Sequence, residues 1–314
     1  MRIGFIGAGK MAQALARGLI QSGRYEPAKI IASCPKTDVK LLDEIRELGI
    51  NTTHDNVEVA HKSETVFIAV KPMHVSKVAA EIAPAVRREH LLVSIALGIT
   101  LRYIETLLPA KTRVVRVMPN TPAVVSAGAA AYSMGAACQD GDSQIVEDLL
   151  KTVGYAVEVP ELYIDPITGL SGSGPSYVFA MIEGLADGGV KQGLPRDLAI
   201  KLSAMTFYGA AKMLLETKEH PAILKGMDIF YVLLELGKAV QSPGGSTVYG
   251  IHEMEKGGFR GMLISAVEEA TRRSRNTGSD LLPRSSSADE NEEEDNEEEA
   301  EMREAPVQKR KARA

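Results

Sequence analysis

The stretch "RIGFIGAGKMAQA", residues 2–14, decides the fold. It begins as a short apolar run suited to a buried strand, breaks at two glycines, and resumes at Lys10 as a helical pattern. The segment Ile6-Gly7-Ala8-Gly9-Lys10-Met11-Ala12 has the form G-x-G-x-x-A at that junction. Gly7 permits a tight turn, Gly9 lets the main chain approach a pyrophosphate, and Ala12 lets helix and strand pack closely. The unpaired N–H groups of the first helical turn then face the phosphates. This placement predicts a dinucleotide site on the first strand.

Working outward, strands are expected at 2–6, 29–33, 65–70, 90–95 and 113–117, alternating with helical patterns. That alternation implies a parallel sheet with crossover helices. The second strand ends Ala32-Ser33-Cys34-Pro35-Lys36, without the acid that would bind a ribose 2'-hydroxyl and repel a 2'-phosphate. A hydroxyl and a lysine there favour NADP over NAD, although Lys36 also reads as an ordinary solvated lysine. Ala69-Val70-Lys71-Pro72 and Ser94-Ile95-Ala96-Leu97-Gly98 fall at later strand ends, where their small residues admit a nicotinamide ribose or simply make tight connections.

After about residue 160 the chain reads as successive helices, with Pro175 and Pro195 at helix starts. Residues 198–215 carry apolar side chains on more than one face, which predicts burial against a second subunit as well as their own domain. The expected fold class is α/β: a Rossmann dinucleotide-binding domain over 1–160, an all-α dimerisation and substrate domain over 161–275, and a disordered acidic tail over 276–314. The tail carries 12 acidic and 6 basic side chains, or −6 of the total −5, so residues 1–275 hold only +1. That is no field for a nucleic-acid backbone.

No run approaches the ~20 apolar residues of a membrane span. The N-terminus has neither a signal-peptide layout nor an Arg- and Ser-rich leader, so a cytoplasmic location is expected, with the mitochondrion as the alternative. Cys34 and Cys138 make no disulfide framework, and the six histidines show no metal-ligand spacing, so no metal is expected.

Five motifs converge on one family: Phe5-Ile6-Gly7-Ala8-Gly9, Ala69-Val70-Lys71-Pro72, Asn120-Thr121-Pro122, Thr168-Gly169-Leu170-Ser171-Gly172-Ser173-Gly174-Pro175 and Ser242-Pro243-Gly244-Gly245. Over about residues 2–275 the chain resembles pyrroline-5-carboxylate reductases. The resemblance implies reduction of 1-pyrroline-5-carboxylate to proline by NADPH or NADH, in a homodimer that assembles further into a decamer. It places cofactor contacts at Ile6, Gly7, Ala8, Gly9, Lys10, Met11, Cys34, Lys36, Asn56, Ala69, Val70, Lys71, Pro72, Ile95, Ala96 and Leu97. Substrate contacts fall on Glu161, Ser246 and Thr247, with Thr247 as the catalytic hydroxyl; a plain N-cap role for Ser246 or Thr247 is the alternative. Cys34 stands where the family often has serine, which weakens a hydrogen bond to a 2'-phosphate.

Two other functions remain open: a related imine or 3-hydroxy acid reductase, whose usual lysine base has no clear counterpart here, and a non-catalytic NADP-binding scaffold. Residues 226–241 lengthen the approach to the Ser-Pro-Gly-Gly turn by about a dozen residues relative to the family and put Ala239 where an asparagine is usual. Their apolar run reads equally as an added helix, an aggregation-prone loop, or an artefact of how the coding sequence was assembled.

Overall fold

All five expected strands form, within one sheet of eight, in a computed structural model that describes residues 1–226 and 245–280. The strands are β1 Ile3–Ile6, β2 Ile30–Ser33, β3 Asn51–Thr53, β4 Thr65–Ile68, β5 Leu91–Ser94, β6 Arg113–Met118, β7 Gly128–Met134 and β8 Gly154–Glu158. Their order is β3-β2-β1-β4-β5-β6-β7-β8. β1 to β6 run parallel, β7 turns antiparallel to β6, and β8 runs parallel to β7. The helices are α1 Lys10–Gln21, α2 Val39–Arg46, α3 Asn56–Lys62, α4 Val75–Ile82, α5 Leu101–Leu107, α6 Asp142–Leu150, α7 Ile164–Ile167, α8 Gly174–Lys191, α9 Arg196–Thr217, α10 Pro221–Gly226, α11 Ser246–Lys256 and α12 Phe259–Ser279.

β1, β2, β4 and β5 are buried along their whole length, as strands covered by helices on both faces must be. Phe5 and Phe67, register partners on β1 and β4, stack with ring centroids 4.9 Å apart at the centre of this layer. The switch in strand order falls between β1 and β4, so the crevice at their C-terminal ends is where an open α/β sheet collects ligands. Residues 1–278 form one compact unit; of a second unit, residues 279–314, only Ser279 and Asp280 are described. The tail expected to be disordered from residue 276 begins instead as the last turn of α12, through Ser279, and from residue 281 it lies outside the described residues, as do residues 227–241 of the expected insertion and Ser242, Pro243 and Gly244 of the turn that follows.

Beyond Glu158 the described elements are helical. α7, a π-helical turn over Thr168–Gly172 and α8 follow one another with only Ser173 between the last two, whose N–H reaches back five residues to the Thr168 carbonyl at 2.9 Å. The glycine-rich motif is thus a widened turn inside a long helical run, a distortion often found at functional sites. Its glycines admit neighbours: a Cβ on Gly169 would come within 2.4 Å of Thr271 Oγ1 and 2.5 Å of the Val267 carbonyl on α12, and one on Gly172 within 2.4 Å of the Met118 methyl.

α8 and α9 leave Phe179, Leu202, Met205 and Tyr208 more than half exposed or at half exposure, and few of their residues are buried. One sequence expectation needs correction here. α9, 22 residues with a mean hydropathy of 1.2 in its most apolar window, does meet the length and composition of a membrane span. Ala, Met and Leu on all faces of α9 raise its hydropathy without making an unbroken apolar run, so the sequence does not display the span.

His90, just before β5, is buried, and its Nδ1 accepts the Arg87 N–H at 3.0 Å. Burial pushes the imidazole below its ordinary value of 6.5, with Glu89 opposing. The folded state thus favours the neutral ring, so this contribution is present above 6.5 and is lost as pH falls through the lower folded-state value. Urea denaturation midpoints should drop between about pH 7 and pH 5.5, and drop less in His90→Gln; an equal drop in both would show that His90 contributes nothing to the slope.

Candidate functional site

At the C-terminal end of β1 the chain turns at Gly7, whose φ of +103° is a left-handed conformation open to glycine. The Gly7 N–H donates to the Ser33 carbonyl at 2.9 Å, and the Ala69 N–H donates to the Ile6 carbonyl at 2.8 Å. The ends of β1, β2 and β4 are therefore joined at one point. A Cβ on Gly7 would stand 2.5 Å from the Ala69 carbonyl, whereas one on Gly9 would meet nothing within 4 Å. Gly7 serves the turn, and Gly9 leaves open space before α1. Gly9 is also the N-cap of α1 and offers no side-chain acceptor, so the first-turn N–H groups at Lys10, Met11 and Ala12 are open to an anion.

Side chains hold this turn in place. Gln13 donates to the Ala8 carbonyl at 3.0 Å and to Glu44 at 2.9 Å, and Lys10 Nζ donates to the same Glu44 carboxylate at 2.9 Å. The Lys10 hydrogen bond holds the Glu44 carboxyl below its ordinary range. Glu44 therefore engages the Lys10 ammonium group and leaves the Lys10 N–H as an open donor at this turn. Sequence reasoning missed Gln13 and Glu44, although a glutamine on the buried side of α1 is a visible signal.

At the end of β2 the Ser33 hydroxyl, fully buried, donates to Asn56 Oδ1 at 2.6 Å, and Asn56 Nδ2 donates to Glu81 at 3.0 Å. The Cys34 thiol is 4% exposed and donates to the Asp38 carbonyl at 3.2 Å. Burial first, then Asp38, raises its pKa. The thiol is thus turned onto main-chain carbonyls of its own loop rather than offered to a 2'-phosphate. Lys36 is exposed on the turn that follows.

Ala69, Val70 and Pro72 are partly buried at the end of β4, and Lys71 is exposed as the cap of a short 3-10 turn. Ile95, Ala96 and Leu97 follow β5, and the next residue, Gly98, has a φ of +75°. A Cβ on Gly98 would lie 2.6 Å from the Ser274 carbonyl, so α12 packs directly on this turn. The chain thus brings the residues expected around Gly7, Ser33, Asn56, Ala69 and Ile95 to one face. A cavity of about 500 Å³ lined by Arg88, Glu105, Lys111 and Thr112 lies instead at the opposite end, where β6 begins.

Glu161 lies beside the start of α5 and against β6. Its Oε1 accepts the Leu101 N–H at 2.7 Å and Arg116 Nη1 at 3.2 Å. Arg116, 2% exposed in the middle of β6, also binds Asp165 at 2.7 Å, and Ser274 donates to the same Asp165 oxygen at 2.8 Å. This buried cluster ties the sheet to α7 and α12, and Glu161, whose side chain is 32% exposed, joins it through Oε1. An arginine inside the apolar run Arg113–Met118 was the signal for it.

Ser246 and Thr247 open α11, whose N-cap is Gly245 with no side-chain cap. Neither hydroxyl caps the helix, and both residues are exposed. Among the described residues no hydrogen bond joins them to the Gly7–Met11 turn.

Residues 161–277 match the family described as pyrroline-5-carboxylate reductase dimerisation, and residues 2–98 match NADP oxidoreductase, coenzyme F420-dependent. Pyrroline-5-carboxylate reductase 3 of Rattus norvegicus is 45% identical over 274 residues, spanning 87% of this chain and 95% of its own. The chain belongs to the pyrroline-5-carboxylate reductase family. Homo sapiens pyrroline-5-carboxylate reductase 2 is 44% identical over 278 residues, spanning 88% and 83%. Among solved structures, the Plasmodium falciparum reductase with NADP bound superposes with a TM-score of 0.77 at 30% identity, covering 88% of this chain and 98% of that one. The Coxiella burnetii reductase does so at 0.76 and 33%, with the same coverage. In this reductase the open space over Gly9 and the uncapped first turn of α1 fit a dinucleotide pyrophosphate, and the site is one for NADP.

Proposed function

We propose that this chain reduces 1-pyrroline-5-carboxylate to proline with NADPH or NADH, the last step of proline biosynthesis. The 45% identity to a pyrroline-5-carboxylate reductase over 274 residues carries this reading, and the two matched families, over 2–98 and 161–277, take in the glycine turn of β1 and the uncapped start of α11. The nicotinamide cofactor, when bound, supplies a hydride.

The residues of this chain do the rest by orientation. A cyclic imine protonated at nitrogen is already electrophilic, so positioning matters more than proton transfer. The N–H groups at the start of α11 and the positive end of its dipole suit the substrate carboxylate. The Thr247 hydroxyl then bonds the ring nitrogen and holds the reacting carbon toward the nicotinamide. Thr247→Ala should lower turnover on the order of a hundredfold and leave stability within about 0.5 kcal/mol, since Gly245 and not Thr247 caps the helix. Steady-state kinetics beside urea denaturation check this; matched losses would return Thr247 to a structural role.

The exposed apolar faces of α8 and α9 are read as the surface a second copy covers, in line with the dimerisation family matched over 161–277. That burial offers α9 an environment other than lipid, and further assembly of dimers into a decamer belongs to the same reading.

A further inference from the structure

The polar chain Ser33–Asn56–Glu81 begins inside the sheet at the end of β2 and ends at the exposed Glu81, beside the strand end that takes the adenosine ribose in dinucleotide folds. In dinucleotide folds an acid on the second strand commonly contacts the ribose 2'-hydroxyl, and β2 ends here without one. The structure brings an acid from elsewhere: Glu81, near the end of α4, accepts from Asn56 Nδ2 at 3.0 Å. We infer that Glu81, acting through Asn56, sets how strongly the site prefers a 2'-phosphate over a 2'-hydroxyl. The inference rests on the reductase reading above only in taking the end of β2 as the ribose site.

Two physical effects work in the same direction. The Asn56 amide is fixed from both ends, because Oδ1 takes the Ser33 hydroxyl at 2.6 Å and a reversed amide would set that oxygen against the Glu81 carboxylate. One Nδ2 hydrogen is left to offer a ligand. The carboxylate itself lies one amide side chain away and repels a 2'-phosphate, which carries close to two negative charges, far more than it affects a neutral hydroxyl.

Other charges nearby do not replace it. Asp55 is turned onto its own helix, accepting the Val57 and Glu58 N–H groups at 2.8 and 3.3 Å. Lys36, exposed on the turn after β2, would attract the phosphate that Glu81 repels. Glu81 is a positioning and selectivity residue that lets the site accept NADH beside NADPH.

The test is calorimetric titration of the full chain with ADP-ribose and with its 2'-phosphorylated form, in the parent protein, Glu81→Gln and Glu81→Ala. Glutamine keeps an acceptor for Asn56 and removes the charge. It should tighten the 2'-phosphorylated ligand about fivefold, the scale of one screened exposed charge, and leave ADP-ribose unchanged. Alanine should also free the amide and weaken ADP-ribose. In turnover, the KM ratio of the two cofactors should move by the same factor with kcat unaltered. An unchanged ratio of the two dissociation constants in Glu81→Gln would overturn the inference while leaving the reductase reading intact. Failure of the parent protein to bind either ligand would remove both.

Discussion

Arg116→Ala is expected to lower the stability of the chain by about 3 kcal/mol, the range found when one partner of a buried ion pair is removed. Its guanidinium, 2% exposed, answers two carboxylates at once. Glu161, whose side chain is 32% exposed and keeps the Leu101 N–H, can recover solvent. Asp165, at 16%, keeps only the Ser274 hydroxyl among its partners named above and is left as a nearly buried uncompensated charge. Adding Asp165→Asn to Arg116→Ala should therefore restore part of the loss, because the orphaned charge disappears. Urea denaturation of Arg116→Ala, Asp165→Asn and the double variant beside the parent chain measures the coupling. A loss below about 1 kcal/mol in the single variant, a value typical of exposed pairs, would show that the cluster does not hold the sheet to α7 and α12.

Gly7→Ala is expected to weaken dinucleotide binding on the order of a hundredfold, the scale of a misplacement near 1 Å at a positioning element, and to destabilise the fold as well. A methyl group at φ +103° is strained in itself, and its contact at 2.5 Å is with the main-chain carbonyl of Ala69, which cannot rotate away. The end of β1 must then separate from the end of β4, which opens the crevice that positions the cofactor. Gly9→Ala is the informative partner. Its methyl group meets nothing in the chain, so stability should stay within about 0.5 kcal/mol while the approach of a phosphate is blocked. Binding by fluorescence quenching and denaturation in parallel should separate the two glycines; equal losses of stability would contradict the distinction.

The parallel core of the fold was legible because its signals are local. Residues 2–14 carry strand, turn and helix start in one window, and β2, β4, β5 and β6 are short apolar runs between helices. The missed strands have physical reasons. β3 is three polar residues at a sheet edge, and β7, Gly-Ala-Ala-Ala-Tyr-Ser-Met, is rich in residues that do not favour strands and is held by pairing with β6 and β8. The π-helical turn at Thr168–Gly172 was hidden for a similar reason: its glycines signal a loop in sequence, but their use is close contact with α12 and Met118.

Within the candidate site, the glycine turn, Ala69 and Ile95 could be read from position alone, whereas side-chain direction could not. Cys34 sits where expected and points inward; Glu161 is near the ligand face of the sheet and spends its carboxylate on Leu101 and Arg116. Glu81 and Glu44 come from helices distant in sequence and become visible only when those helices pack.

Imine reduction by this chain is tested most directly by following NADPH oxidation and proline formation together when 1-pyrroline-5-carboxylate is added to the assembled protein. One proline formed per NADPH consumed, with turnover abolished by neither chelators nor reductant, is the predicted result. Tight dinucleotide binding in a correctly assembled sample, with no imine reduced, would contradict it.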